Sequence, residues 1–153
     1  MQFGPTVDGR IKISLESQTD YYFFAELVRD AAGDEQAKAL ADQVGKHTDD
    51  EDWDEYVKPE LIQGYREDLY AVVSSVGQYQ EEGLEEFFID DEVARVWYST
   101  LNQARLRLEV EHKISEVPYE ITPEECGEEL FLALVKSEHY LKLQSMILDH
   151  FEL

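Results

Sequence analysis

Residues 89–113 are the stretch that most constrains the fold. Their apolar side chains recur at the spacing of one face of an α-helix. This face carries, in chain order, Val93, Val96, Trp97, Leu101, Ala104, Leu106 and Leu108. Asp90 or Asp91 can cap its start by accepting a free backbone N–H. We therefore predict a long helix over about 90–113 whose apolar side is buried by the rest of the chain.

The N-terminus has the pattern of a β-hairpin. Asp8 and Gly9 suit a two-residue turn, and Ile11, Ile13 and Leu15 then alternate with polar residues, as in a half-buried strand. The hairpin is predicted over 1–15, and the strand-like run 86–89 is a candidate third strand. A chain of 153 residues fits one domain. The predicted fold class is mainly α, a helical bundle with a small N-terminal hairpin, in a single domain over 1–153.

Apolar spacing and helix-ending glycines predict three further helices, over about 19–44, 61–82 and 123–149. Gly33 is either a break or a kink in the first of them, and a break of the last one near Ser137 stays open. The positions expected to be buried are Phe23, Phe24, Leu27 and Ala31 in the first helix; Tyr65, Leu69, Val72, Val73, Val76 and Tyr79 in the second; and Leu130, Leu134, Leu141, Met146 and Ile147 in the last.

The formal net charge is −22, from 35 acidic and 13 basic residues. Phosphate backbones and anionic membranes repel such a chain, so we expect neither direct nucleic-acid binding nor membrane binding. Surface carboxylates that keep the protein soluble are the simplest explanation. A basic protein partner, or mimicry of a polyanion such as DNA, are the functional alternatives.

The most acidic segment, 46–60, is predicted to be a loop, because clustered like charges favour extension. We predict that it binds the partner through Asp49, Asp50, Glu51, Asp52, Asp54 and Glu55. The single Cys126 permits no internal disulfide and fits a reducing compartment. Because no signal-peptide core or long apolar run is present, a cytoplasmic location is expected.

Asn102 and Arg105 lie one helical turn apart beside the apolar face of the 89–113 stretch. An arginine near a core needs a partner, since an unpaired buried charge is strongly destabilising. Asp68 or Glu67 on the preceding helix is the predicted partner, in an internal polar network that locks two helices together. The alternative is a polar pocket for an anionic ligand or for a partner's carboxylate.

No pattern in the sequence specifies catalysis. Glu109-x-x-His112 has the spacing of a di-metal carboxylate motif, but such a site needs a second copy, which the chain lacks. We therefore expect no catalytic residue, no metal site and no cofactor. A metal-dependent enzyme that uses His112 and nearby carboxylates is kept as an alternative.

Two motifs carry a family resemblance. The segment VWYSTLNQARLRL resembles a Trp-Leu-x-x-Leu-Asn-Asp-x-Arg-Leu segment of the AosR-like family of bacterial unknown-function domains. The matching positions are Trp97, Leu101, Asn102, Arg105 and Leu106. GYREDL at 64–69 resembles that family's Tyr-Arg-x-Asp helix start. The resemblance implies a role in oxidative-stress regulation, attributed in actinobacterial members to a pair of cysteines. This chain departs from that pattern, since it has Cys126 alone.

These observations together predict a non-enzymatic, acidic cytoplasmic protein that acts through protein–protein contacts, as a stress-linked regulator or adaptor. The many aromatic side chains also leave room for a homodimer contact. Polyanion mimicry and metal-dependent catalysis are the two competing hypotheses.

Overall fold

The computed structural model describes residues 1–32, 57–81 and 86–153, except the side chains of residues 80 and 81. The described elements are, in chain order, β1 (Gln2–Pro5), β2 (Ile11–Ser14), α1 (Gln18–Ala31), α2 (Lys58–Glu81), β3 (Glu86–Ile89), α3 (Ala94–His112), a 3₁₀ turn (Ile114–Glu116), α4 (Pro123–Cys126) and α5 (Glu128–Phe151). The fold is mainly α with a small antiparallel sheet, as the sequence predicted.

The three strands form one antiparallel sheet in the order β1-β2-β3. The predicted third strand at 86–89 is thus present, with Ile13 paired to Phe87. The hairpin connection is longer than the predicted two-residue turn, because Pro5 pairs with Ile11 and residues 6–10 form the loop. Gly9 supplies the positive φ of 87° that this loop requires.

Helix α1 begins at a capping box. The Ser17 side chain accepts from the Asp20 backbone N–H, and the Asp20 carboxylate accepts from the Ser17 N–H in return. The helix ends at Ala31, since Ala32 is extended. The predicted helical residues 34–44 lie outside the described residues.

The C-terminal region is divided at Gly127 and not near Ser137. Gly127 has φ 84° and ψ 161°, a backbone conformation almost restricted to glycine, so α4 ends at Cys126 and α5 starts at Glu128. Thr122 precedes α4 without a side-chain capping hydrogen bond, and Pro123 occupies the first turn of this helix.

Helix α3 lies at the centre of the molecule and packs against α1, α2 and α5. Trp97 is fully buried and stacks on Phe87 of β3, with ring centroids 5.8 Å apart and an interplanar angle of 16°. The same side of α3 buries Ala94, Leu101, Ala104 and Leu108. The predicted apolar face of this helix is therefore the core of the protein.

Burial on the neighbouring helices differs from the sequence prediction at several positions. Leu27 and Ala31 on α1, Val72 and Val76 on α2, and Ile147 on α5 are buried as expected. Val73 and Leu141 were predicted to be buried but are exposed, with 42% of the surface of each accessible. Both apolar stripes are wider than the surface that neighbouring helices cover.

None of the described helices is both long enough and apolar enough to cross a lipid bilayer.

Candidate functional site

Asn102 and Arg105 meet at one residue of α5. The Arg105 Nη1 donates to Gln144 Oε1 at 2.7 Å, and the Gln144 Nε2 donates to Asn102 Oδ1 at 3.4 Å. Gln144 is buried, Arg105 is half-buried and Asn102 is exposed. The structure thus brings the two predicted site residues together, through a glutamine that the sequence did not single out.

Asp68 does not join this group. Its carboxylate accepts from Ser99 Oγ at 2.6 Å, on the side of α3 that faces α2. Ser99 and Arg105 are six residues apart, which separates them by roughly 120° around a helix. The other predicted partner, Glu67, accepts from Gln63 on its own helix. Among the described residues, no carboxylate lies within ion-pair distance of Arg105, and its Nε is buried without a hydrogen-bond partner.

Beside Arg105 a pocket of about 270 Å³ opens between α3 and α5. We call it the α3–α5 groove, and its walls are formed by Asn102, Arg105, Leu106, Glu109, Ile114, Ser115 and Ser137. The one acid in the wall, Glu109, already accepts hydrogen bonds from the Ser115 backbone N–H, at 2.9 Å, and from the Ser115 hydroxyl. The groove therefore combines two apolar side chains, Leu106 and Ile114, with a guanidinium that forms no ion pair with a described residue.

The lysines and arginines of the described residues differ in whether they form ion pairs. Six of them form ion pairs with carboxylates: Arg10, Lys12, Arg29, Arg107, Lys136 and Lys142. Lys58 and Arg66 have contacts of their own. The bases that form no ion pair with any described residue are Arg95, Arg105 and Lys113.

Of these three bases, Arg105 lines the groove and the other two do not. Arg105 is one turn from Asn102, on the side towards α5. Arg95 is seven residues before Asn102, close to two whole helical turns, so it lies on the side of α3 that borders the groove. Lys113, eleven residues after Asn102, follows the last residue of α3 as its C-cap, with a φ of 50°.

Ser137 is the residue of α5 that lines the groove, and it is flanked on its helix by leucines. Leu141 lies four residues after Ser137 and three before Gln144, both of which face α3 here, so it lies on the same edge of the helix. Leu134, Leu141 and Leu148 are spaced seven residues apart on this edge, and we call them the leucine edge. Leu141 and Leu148 are 42% and 38% exposed, and Leu134 is half-buried.

A second polar cluster, which the sequence analysis missed, lies where α1, α3 and α5 meet. The buried Lys136 Nζ is 2.9 Å from Asp30 Oδ2 and 3.2 Å from Glu26 Oε2. Tyr140 donates its hydroxyl to the same Asp30 oxygen at 2.9 Å. Burial, followed by the Asp30 charge, raises the pKa of Tyr140, so it stays a donor. The available signal was charge at core-facing positions: Lys136 is four residues before Tyr140, and Glu26 four before Asp30.

A polar pocket of about 160 Å³ adjoins this cluster. Its charged lining is largely paired within the protein. Lys136 contacts Glu26 and Asp30, and Arg107 donates to Glu111 at 2.9 Å and to the Arg29 carbonyl at 2.7 Å. We therefore assign a structural role to this cluster, in joining α1, α3 and α5.

The Glu109-x-x-His112 motif is divided between the two pockets. Glu109 lines the α3–α5 groove, whereas His112 lines the pocket beside Lys136, 3.8 Å from Glu111. Within the described ranges, no group of three or more His, Cys, Asp or Glu side chains is arranged to hold a metal ion. Cys126 is half-buried and unpaired at the end of α4. The predicted acidic segment, Asp49 to Glu55, lies outside the described residues.

The comparison with protein families identifies the class of this chain. Residues 15–135 match a family described as a domain of unknown function, DUF2017. Because the match covers most of the chain, from the residue after β2 into α5, the protein belongs to this family. The match includes Asp68, Asn102 and Arg105. No curated protein and no solved structure matches the chain.

Proposed function

We propose that this protein is a non-enzymatic regulator or adaptor that binds a segment of a partner protein in the α3–α5 groove. The observation that carries the proposal is Arg105, which lines the groove without an ion pair to any described residue, with Arg95 and Lys113, also without one, near the same side of α3. In a chain with such an excess of acids, exposed cations would readily find intramolecular partners, as the other described bases do.

Arg105 gives the groove its binding chemistry. A guanidinium carries five N–H donors in a planar fork, and one neutral acceptor, Gln144, leaves most of them available. A carboxylate or a backbone carbonyl of a partner is the group that this fork recognises best. The leucine edge supplies apolar surface beside it, so a protein segment fits the groove better than a small ion does.

The resemblance to AosR-like proteins supports a regulator linked to oxidative stress. In this chain Cys126 has no second cysteine, so an intramolecular thiol–disulfide switch is not open to it. We propose that regulation works through occupancy of the groove instead. The acidic residues 49–55 provide a second contact, to a basic region of a partner.

Site-specific photo-crosslinking in the native host tests the proposal. A photoreactive amino acid replaces Asn102, which lines the groove, and in a control it replaces Val7 on the exposed hairpin loop. We expect a defined protein adduct from position 102 that position 7 does not give, and that Arg105→Gln weakens. The same adducts from both positions, or none from position 102 at normal protein levels, would refute binding in the groove.

A further inference from the structure

We infer that the segment bound in the α3–α5 groove is an amphipathic helix with leucine-like side chains on one edge and carboxylates beside them. This inference rests on the proposed function and specifies the chemistry of the partner. It follows from two rows of side chains on either side of the groove: the leucine edge, which flanks Ser137 on α5, and Arg95, Arg105 and Lys113, which form no ion pair with a described residue.

The spacing of the leucine edge indicates a helical partner. Leu134, Leu141 and Leu148 follow a seven-residue period, which is two helical turns, or about 10.5 Å per step. A helix that lies along α5 presents its own side chains at the same period, so that they pack between these leucines. An extended strand presents a side chain to this surface about every 6.6 Å, so its side chains would not match the spacing of about 10.5 Å between successive leucines.

The cations lie beside these leucines along the groove. Helices α3 and α5 are antiparallel here, because Gln144 contacts Asn102 and Arg105 whereas Ser137 shares the groove with Glu109 and Ser115. Leu141 is therefore near the level of Arg105, and Leu134 is near the end of α3, where Lys113 lies. Arg95 and Lys113 are about 27 Å apart along the helix axis, which a partner helix of about 18 residues spans.

The charge of the groove selects carboxylates. Arg95, Arg105 and Lys113 are accessible and have no described counter-ion, whereas Glu109 is already bound by Ser115. A second copy of this chain is a poor occupant, since each copy carries a net charge of −22 and two such grooves would bring cation against cation. A separate acidic helix satisfies the cations and covers the leucines at the same time.

Two synthetic helical peptides of about 24 residues test this inference on the full chain. Both carry leucine at every seventh position, and the positions flanking it are Glu in one peptide and Lys in the other. Long-range attraction to the acidic protein favours the Lys peptide, and salt screens this attraction. Binding of each peptide is therefore measured by fluorescence anisotropy at about 0.15 M and about 0.5 M NaCl.

The matched variants each remove three positive charges. The groove variant is Arg95→Gln, Arg105→Gln and Lys113→Gln, and the control is Arg10→Gln, Lys12→Gln and Arg29→Gln on the hairpin and α1. We expect the Glu peptide to bind more tightly at both salt concentrations. We expect the groove variant to weaken it about tenfold, as three exposed ion pairs would, and the control variant to change it less than about twofold.

The inference is overturned if the Lys peptide binds more tightly at the higher salt concentration, if neither peptide binds, or if both variants weaken the Glu peptide equally. Circular dichroism of both variants establishes that they are folded, and Leu141→Ser provides an independent variant, which we expect to weaken the Glu peptide. A specific crosslink from position 102 without a preference for the Glu peptide would retain the proposed function and exclude only this partner chemistry.

Discussion

Lys136 shows how a single buried charged side chain can join two helices. The residue is 8% exposed, and its ammonium group lies between Asp30 and Glu26 of α1. Its own helix, α5, packs on α3. Removing one partner from such a buried cluster is costly, because the remaining charges have lost their solvent and keep no counter-charge.

We predict that Lys136→Ala lowers the free energy of unfolding by about 3–5 kcal/mol, because it leaves the buried Asp30 carboxylate without a cation among the described residues and leaves Glu26 with the exposed Arg29. The matched change Lys142→Ala removes an exposed lysine paired with Glu138 and should cost no more than about 0.5 kcal/mol. Urea denaturation at neutral pH measures both values. Equal effects of the two changes would show that the Lys136 cluster does not stabilise the fold.

His139 lies in an aromatic environment. Its ring centroid is 5.4 Å from that of Phe3 and 5.0 Å from that of Phe23, and its buried Nε2 has no hydrogen-bond partner in the part of the chain that the structure describes. Burial, assisted by repulsion from the Met1 amino group and Lys142, lowers its pKa below 6.5, and Asp20 opposes this only in part. The unfolded chain therefore takes up a proton at a higher pH than the folded protein does.

This histidine should make stability depend on pH. As the pH falls through about 6.5, protonation of His139 in the unfolded chain lowers the free energy of unfolding. The free energy of unfolding continues to fall until the pH reaches the pKa of His139 in the folded protein. We predict that His139→Phe, which suits the aromatic environment, removes this part of the decline. Unfolding curves from about pH 7.5 to about pH 5 measure it. Parallel pH profiles for the two proteins would contradict the assignment.

At the scale of elements, the break at Gly127 separates two helices that the sequence pattern joined. Its positive φ and extended ψ are accessible to glycine and strained for other residues. Thr122-Pro123 starts α4, and the turn at Gly127 lets α5 begin in a new direction. Conformational freedom at one residue thus decides where the long C-terminal helix begins.

We predict that Gly127→Ala lowers the free energy of unfolding by about 1–3 kcal/mol, although a Cβ there meets no atom within 4 Å. Gly77→Ala is the matched control. Gly77 lies inside α2, also has nothing within 4 Å of its Cβ position, and should raise stability by about 0.5–1 kcal/mol. Opposite signs in thermal or urea unfolding are expected, and stabilisation by both changes would exclude strain at Gly127.

At the scale of the whole molecule, the net negative charge is the main electrostatic influence on stability. A formal charge of −22 on 153 residues makes the folded state repel itself, and the described ion pairs offset this only locally. Salt shortens the range of this repulsion more than it weakens the buried pairs around Lys136.

We therefore predict that stability rises with ionic strength. Between about 0.01 M and 0.15 M NaCl the Debye length falls from about 30 Å to about 8 Å, so repulsion between distant carboxylates is screened. A gain of about 1 kcal/mol would raise the Tm by about 2–4 °C for a chain of this size. Differential scanning fluorimetry measures it, and a flat or falling Tm would show that net repulsion does not limit stability.

What the sequence by itself determined is local pattern. The period of Trp97, Leu101 and Leu108 predicted the buried side of α3, and the alternation at Ile11 and Ile13 predicted β2. Residues 86–89 were correctly assigned to a strand. These features follow from the rotation per residue of a helix or a strand, which the spacing of apolar side chains reports directly. The short motifs around Trp97 and Gly64 suggested the AosR-like family, and the match that was found over residues 15–135 is to a domain of unknown function, DUF2017.

What only the tertiary structure decided is which neighbour each side chain meets. Asp68 and Arg105 are both polar residues at the border of apolar faces, yet Asp68 contacts Ser99 and Arg105 contacts Gln144. Leu141 has the spacing of a core residue and is exposed, since no described element covers that edge of α5. The physical reason is that periodicity specifies the direction of a side chain on its own helix, whereas the arrangement of the other helices determines whether it is covered, paired or left open to a partner.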